Sequence, residues 1–274
     1  MKISSIFIGA IRVLLAFLLV MVINSIANAQ DTLRVMTYNI YHGEDPRQPG
    51  RSNLEEIASL IQKVKPDLVA LQEVDSLTGR SASLNYGVPQ NLIHELAEMT
   101  GMQGYFGKAI DFDGGGYGEG ILSRSPVNIQ KVMLPIPKGG EKRAMLVAQT
   151  KVSKENTLLF AGTHLCHQFA ENRLAQVQKI NEVFRESAQP LILAGDLNFV
   201  PGSEPYRVLQ NYWTDLAKRS KSADPTYSYK NPSRRIDYLF LSKRSLEQVK
   251  VAEVQVLNVG YSDHMPLVTT IVLH

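Results

Sequence analysis

Cys166 is the only cysteine in 274 residues. A lone thiol closes no internal disulfide, so the chain must hold itself together through its apolar core. Charge is nearly balanced, with 29 Lys and Arg against 26 Asp and Glu and a formal +3. That argues against a protein that grips long polyanions through many phosphate contacts, while leaving open chemistry that needs only local charge. No short repeat, no low-complexity tract and no long apolar hairpin for a bilayer is present.

What the sequence does have begins at its start. In residues 1–29 the only charges are Lys2 and Arg12, the run Val13 to Ile23 is apolar, and Ala27-Asn28-Ala29 precedes Gln30. These are the parts of an export signal with an A-x-A cleavage site. The rival reading, a retained anchor, would place Arg12 near the middle of a span. Removing residues 1–30 leaves 244 residues with a formal charge of +1, since Lys2 and Arg12 leave with the signal. That is enough chain for one large domain, 31–274, with an ample core. The expected destination is the periplasm or the outside of the cell, as a monomer with no protein partner implied and no stable membrane insertion.

One octapeptide organises the rest: Leu191-Ile192-Leu193-Ala194-Gly195-Asp196-Leu197-Asn198. A short unbroken apolar run reads as a strand buried on both faces, and Asp196 and Asn198 emerge at its carboxyl end, where α/β proteins keep ligand sites. Three more apolar strands end the same way, delivering Asn39, Glu73 and His164. Two segments invert the order: Arg235-Ile236-Asp237 and Ser262-Asp263-His264 stand just before apolar runs. His164, Cys166 and His167 lie close together, but in a strand His167 faces away from the other two, so a zinc site is disfavoured and Cys166 reads as a buried structural thiol.

Ser52-Asn53-Leu54-Glu55 reads as a capping box opening a helix with Leu54, Ile57, Leu60, Ile61 and Val64 on one face, stopped by Pro66. A second helix is expected from Pro89 to Met99 with Gly101 as its cap, and a third over 169–187. Further strands fall near 119–124, 127–134, 143–152, 156–163, 246–257 and 265–273. Helices alternate with strands in both halves, and several strands adjoin without helices. The expected fold is α/β, with two mixed β-sheets packed face to face and helices outside.

Six of these segments, TYNI, LQEV, THL, GDLN, RIDYLF and SDHMPL, occur in an order that resembles the endonuclease/exonuclease/phosphatase superfamily of metal-dependent phosphoesterases. The resemblance covers about residues 33 to 273 and implies the four-layered α/β sandwich of that superfamily. It also implies Mg2+ or Mn2+, with Glu73 as the principal ligand and Asn39 and Asp263 beside it. His264, paired with Asp237, would activate the attacking water. His164 would contact the phosphate, and Asp196 would orient the water or protonate the leaving group. Asn198 would hold a phosphoryl oxygen, and Arg143 aligns loosely with a phosphate-binding arginine.

Tyr117-Gly118-Glu119 resembles the Tyr-x-Glu of pancreatic-type deoxyribonucleases, in which the Glu orients the histidine corresponding to His164. The loop from Asp111 to Tyr117, with three glycines, is expected to be a mobile rim from which Tyr117 covers the substrate. Trp213, Tyr227 and Tyr229 are candidate stacking residues or packing residues, and Arg234 and Arg235 could add local charge. The expected substrate is a phosphodiester, in a nucleic acid or a lipid or small-molecule head group. The alternatives are a sugar- or inositol-phosphate monoester, or a degraded site that only binds phosphorylated ligands. The sequence is also similar to exported bacterial members related to domains that remodel glycosylphosphatidylinositol lipids.

Overall fold

Side chains alternate sides along a strand, and in this chain the two sides find different partners. On β1 (Asp31–Asn39), Val35 joins one core while Met36 and Tyr38 join another. On β8 (Leu191–Asp196), Ile192 and Ala194 face the same core as Val35, while Leu191 and Leu193 face a third. The computed structural model describes residues 31–153, 156–219 and 224–274. The export signal read in residues 1–29 lies outside them.

The remaining strands are β2 (Leu68–Ser76), β3 (Gln103–Phe112), β4 (Gly115–Ser123), β5 (Asn128–Leu134), β6 (Arg143–Lys151), β7 (Thr157–His164), β9 (Trp213–Asp215), β10 (Asp237–Ser242), β11 (Val249–Val256) and β12 (Leu267–Leu273). One six-stranded sheet runs β11-β12-β1-β2-β4-β3 and the other β5-β6-β7-β8-β10-β9. Each has one parallel pair at its centre, β1–β2 and β7–β8. A helix crosses over in each: α1 (Leu54–Val64) in the first sheet and α4 (Ala170–Phe184) in the second.

The shared core between the sheets holds Val35, Leu68, Ala70 and Ile121 from one and Leu146, Phe160, Ile192 and Leu239 from the other. The sheets come close at its centre, where a Cβ added to Gly162 would lie 2.9 Å from the Cβ of Ala70. The short α2 (Gly79–Ser83) follows β2; the outer face of the first sheet is covered by α1 and α3 (Leu92–Thr100), and that of the second by α4 and α5 (Glu204–Leu209). This is the four-layered sandwich expected, and it matches the sandwich fold of the structures compared below.

Several local readings need correction. Helix α1 starts at Leu54, but the capping box is not closed: Asn53 makes no cap bond and donates its amide to Tyr261 O instead. Helix α3 ends on Gly101 at φ 68°, as read. The stretch from Asp111 to Tyr117 is not a mobile rim. It is the tight turn of the β3–β4 hairpin, with Asp113 at φ 45° and Gly114 at φ 79°. Positive φ at both central residues suits a two-residue hairpin loop that follows the strand twist. Gly115 and Gly116 belong to β4. Trp213 is core, donating from Nε1 to Asn181 Oδ1 at 2.8 Å. Arg235 is spent on a buried ion pair with Asp215 at 2.6 Å.

Candidate active site

The carboxyl ends of the parallel strands and the amino ends of their antiparallel neighbours meet along one edge of the sandwich. The parallel strands bring Asn39, His164 and Asp196 to that edge. Asp237 opens β10 directly opposite Asp196 in register, and Arg143 opens β6. Asp263 and His264 come from the loop before β12. Glu73 arrives by another route. Strand β2 continues past it to Ser76, and the register with β4 slips between Leu71 and Val74. Glu73 sits in that bulge at φ 59°, a backbone few non-glycine residues adopt. The bulge re-aims its carboxylate toward the edge.

Asn39 is a strut. Its Nδ2 donates to Glu73 Oε1 at 3.0 Å and to Asp196 Oδ2 at 3.2 Å. Its Oδ1 accepts from the Tyr41 N–H at 3.1 Å, which fixes the amide orientation because that N–H can only donate. His264 Nδ1 lies 2.9 Å from Asp237 Oδ2, and its Nε2 lies 3.6 Å from Asp196 Oδ2. Ser262 Oγ ties the loop to β1 by donating to Asn39 O at 2.7 Å. His164 Nε2 approaches the same Asp196 oxygen at 3.4 Å.

Glu119 does not make the pair with His164 that the resemblance implied. It is buried on β4 and its Oε2 has no hydrogen-bond partner. Arg143 takes that place, donating from Nη1 to His164 Nδ1 and from Nη2 to His167 Nδ1, each at 3.1 Å. A guanidinium between the two imidazoles leaves no room for a soft cation there. Asn198, at φ 51°, gives its N–H to Asp196 Oδ1 at 2.9 Å and an amide hydrogen to Leu165 O at 3.1 Å.

Burial opposes charge, so the direction of each pKa shows which neighbours win. Burial pushes the Asp196 carboxyl up to about 7, with Asp237 adding to the rise against the pull of His264. For His264 burial acts downward, but Asp237 and Asp196 outweigh it and carry the imidazole up to about 10. Burial and the Arg143 charge drive His164 well down, so it is neutral and its Nδ1 accepts from Arg143. Burial would raise Glu73, yet the nearby His42, His164 and His264 imidazoles and the Asn39 amide hold it below the ordinary carboxylate range. Burial lifts Asp263, and Glu73 adds to it. Glu119 is driven well up by burial.

These groups face a cavity of about 430 Å³ lined by Glu73, Tyr117, Arg143, His164, Asp196 and His264, among others. Tyr117 lines it from within β4, buried under the Arg80 guanidinium, which stands 5.3 Å over its ring. Tyr227 and Arg234 line the mouth, and Tyr229 is not among the lining residues. Asp196, Asp237 and His264 bring one ligand atom each within 4.8 Å of one another, a possible metal site. The wider donor set also fits a hard cation. Asp237 adds to the rise of Asp196, Glu73 and Asp237 add to that of Asp263, and buried Asp237 Oδ1 has no partner. Sequence reading missed His42, Glu44 and Arg80. Tyr41-His42-Gly43 reads as a plain loop, and nothing in its spacing signals a buried imidazole.

A two-sheet sandwich with a carboxylate and imidazole cluster at one edge defines a phosphoesterase fold. A profile of the Endonuclease/Exonuclease/phosphatase family matches residues 36–264. The chain belongs to that family. Among solved structures it is similar to an endonuclease/exonuclease/phosphatase from Beutenbergia cavernae, at 25% identity and a TM-score of 0.72, over 88% of this chain and 72% of that one. It is also similar to a mannosyl-6-phosphatase from Bacteroides thetaiotaomicron, at 18% identity and a TM-score of 0.69, over 88% of this chain and 100% of that one. A third is the human Nocturnin catalytic domain with bound sulfate, at 19% identity and 0.68, over 89% and 96%. No curated protein matches the sequence.

Proposed function

We propose that this protein is an exported, divalent-metal-dependent phosphoesterase that hydrolyses a phosphodiester, acting as a monomer without a protein partner. The observation that carries the reading is the line Asp237–His264–Asp196, at 2.9 and 3.6 Å, with Glu73 on the other side of Asn39. The export half of the proposal is supported by residues 1–29, with their apolar run and A-x-A site. Among the described residues no helix is long and apolar enough to cross a membrane.

Glu73 and Asp263, with the spare lone pair of Asn39 Oδ1, would hold Mg2+ or Mn2+. When bound, the ion supplies positive charge to the phosphoryl oxygens and the leaving group. The chain's own residues handle the proton. His264 alone is a poor base at neutral pH, because with a pKa of about 10 it already holds its proton. Asp196, at about 7, is poised to give or take one. The water's proton is therefore assigned to Asp196, His264 and Asp237 as a unit. Neutral His164 and the Asn198 amide would donate to phosphoryl oxygens, a reading supported by their place in the cavity lining and by the Arg143 bond that holds the His164 tautomer.

The acidic groups of the cavity favour a diester. Carboxylates of Glu73, Glu141, Asp196 and Asp263 line it, with Arg143, Arg234 and the protonated His264 as the cations among them. A monoanionic diester meets less repulsion there than a dianionic monoester. The test is turnover of bis-p-nitrophenyl phosphate beside p-nitrophenyl phosphate, with Mg2+, Mn2+ or EDTA. Metal-dependent turnover with the diester preferred is expected. Full activity in EDTA would remove the metal from the reading, and preference for the monoester would replace it with a sugar- or inositol-phosphate phosphatase.

A further inference from the structure

Beside the cavity, His42 occupies a position that the acid–base line does not use. It lies in the single 3-10 turn after β1, with a left-handed backbone at φ 44° and ψ 26°. Outside glycine that conformation is disfavoured by about 1 kcal/mol or more. Here it turns the imidazole inward, where the side chain is 8% exposed.

One ring nitrogen is accounted for. Nε2 lies 2.9 Å from Glu44 Oε2. Glu44 also accepts from the Gly50 N–H at 2.7 Å, and despite burial its carboxyl stays below its ordinary range, so it is an ionised acceptor. Nε2 therefore carries a proton. The other nitrogen, Nδ1, is buried without a hydrogen-bond partner and faces Glu73 Oε2 at 3.7 Å. That is too long for a hydrogen bond, yet shorter than two metal–ligand bonds of about 2.1 Å laid end to end. Asn39 already holds the other Glu73 oxygen at 3.0 Å, which leaves Oε2 turned to the ring. A carboxylate fixing one imidazole nitrogen while the other looks toward a second carboxylate is how proteins orient a histidine metal ligand.

We propose that His42 Nδ1 is a nitrogen ligand to the divalent cation held by Glu73, oriented by Glu44, and that the site thereby selects Mn2+ over Mg2+. The proposal rests on the reading of Glu73 as a metal ligand. Its chemical basis is that Mg2+ takes oxygen ligands almost exclusively, whereas imidazole suits first-row transition ions.

The test is Mn2+ and Mg2+ binding by calorimetry, with pulsed EPR of the Mn2+ form, on wild type, His42→Asn and Glu73→Gln. Asn tolerates left-handed backbone, so His42→Asn keeps the turn and removes the ring. Wild type should show coupling between Mn2+ and an imidazole nitrogen. His42→Asn should abolish that coupling and weaken Mn2+ binding by about 10- to 100-fold. Mg2+ binding should be unchanged, so the selectivity collapses. Glu73→Gln should weaken both ions. A nitrogen signal that survives His42→Asn, or Mn2+ affinity that does not change, overturns the proposal while the Glu73 reading stands. If Mg2+ and Mn2+ bind Glu73→Gln as they bind wild type, or neither binds wild type, the Glu73 reading fails and this one with it.

Discussion

Each sheet places a parallel pair at its centre, joins the pair through a crossover helix, and brings two polar side chains from it to the site: Asn39 and Glu73 in one, His164 and Asp196 in the other. The electrostatic outcomes are opposite. Neighbouring imidazoles and an amide hold Glu73 below its ordinary range, so it keeps its charge at any working pH. Burial and Asp237 push Asp196 to about 7, where it exchanges its proton. The backbone differs in the same sense. The Glu73 end is bent by a bulge and by left-handed Tyr41, His42 and Glu73, whereas β8 pairs regularly with β7 and β10 up to Asp196. On the proposed reading, one topology would thus provide a holder of cations on one side and a handler of protons on the other.

The largest expected effect separates those roles. Asp196→Asn should lower kcat by about 10²- to 10⁴-fold while leaving metal binding in place. Glu73→Gln should weaken metal binding and turnover together, and calorimetry beside diester kinetics reads both. If Asp196→Asn also lost the metal, the division between the two ends would fail.

The next effect is on stability against pH, measured by urea unfolding in EDTA. Folding raises His264 from 6.5 to about 10, so its contribution is complete below pH 6.5 and lost as pH climbs through 10. The loss should be on the order of a few kcal/mol and absent in His264→Gln. Asp196 has the same sign in a lower window, from 3.8 to about 7, where stability falls as pH rises. Glu73 has the opposite sign: its contribution is present above its unfolded value of 4.5 and is lost as pH falls below it. A profile without the alkaline decline would contradict the His264 environment.

The smallest effect concerns the packing that both ends share. Gly162→Ala presses a methyl against Ala70 and should cost about 1–3 kcal/mol in chemical denaturation. Equal loss of metal affinity and activity would show that both ends depend on the spacing between the sheets.

The elements that could be read in advance are those whose chemistry is local. Asn39, His164 and Asp196 end apolar runs, and Asp237 and His264 begin them, so period and polarity marked all five. Strand β3 escaped because it is an edge strand with three glycines or short polar side chains among mixed exposure and no clean alternation. The glycines after Asp113 read as flexibility, but Gly114 supplies the turn at φ 79° and a Cβ at Gly115 would collide with the carbonyls of Ser76 and Leu77. The Glu73 bulge, the Arg143 bridge and the inward turn of His42 depend on partners distant in the chain, which no local pattern encodes.

The hydrogen bond from Ser262 to the backbone of Asn39 joins residues 223 apart. Asp263 and His264 ride on that tie, next to the strand that pairs with β1. A chain emerging from the ribosome or crossing a membrane in order holds Asn39, Glu73 and Asp196 long before it holds His264. On the proposed reading, the site would therefore stay incomplete throughout synthesis and export, and would come together only as the final strand docks.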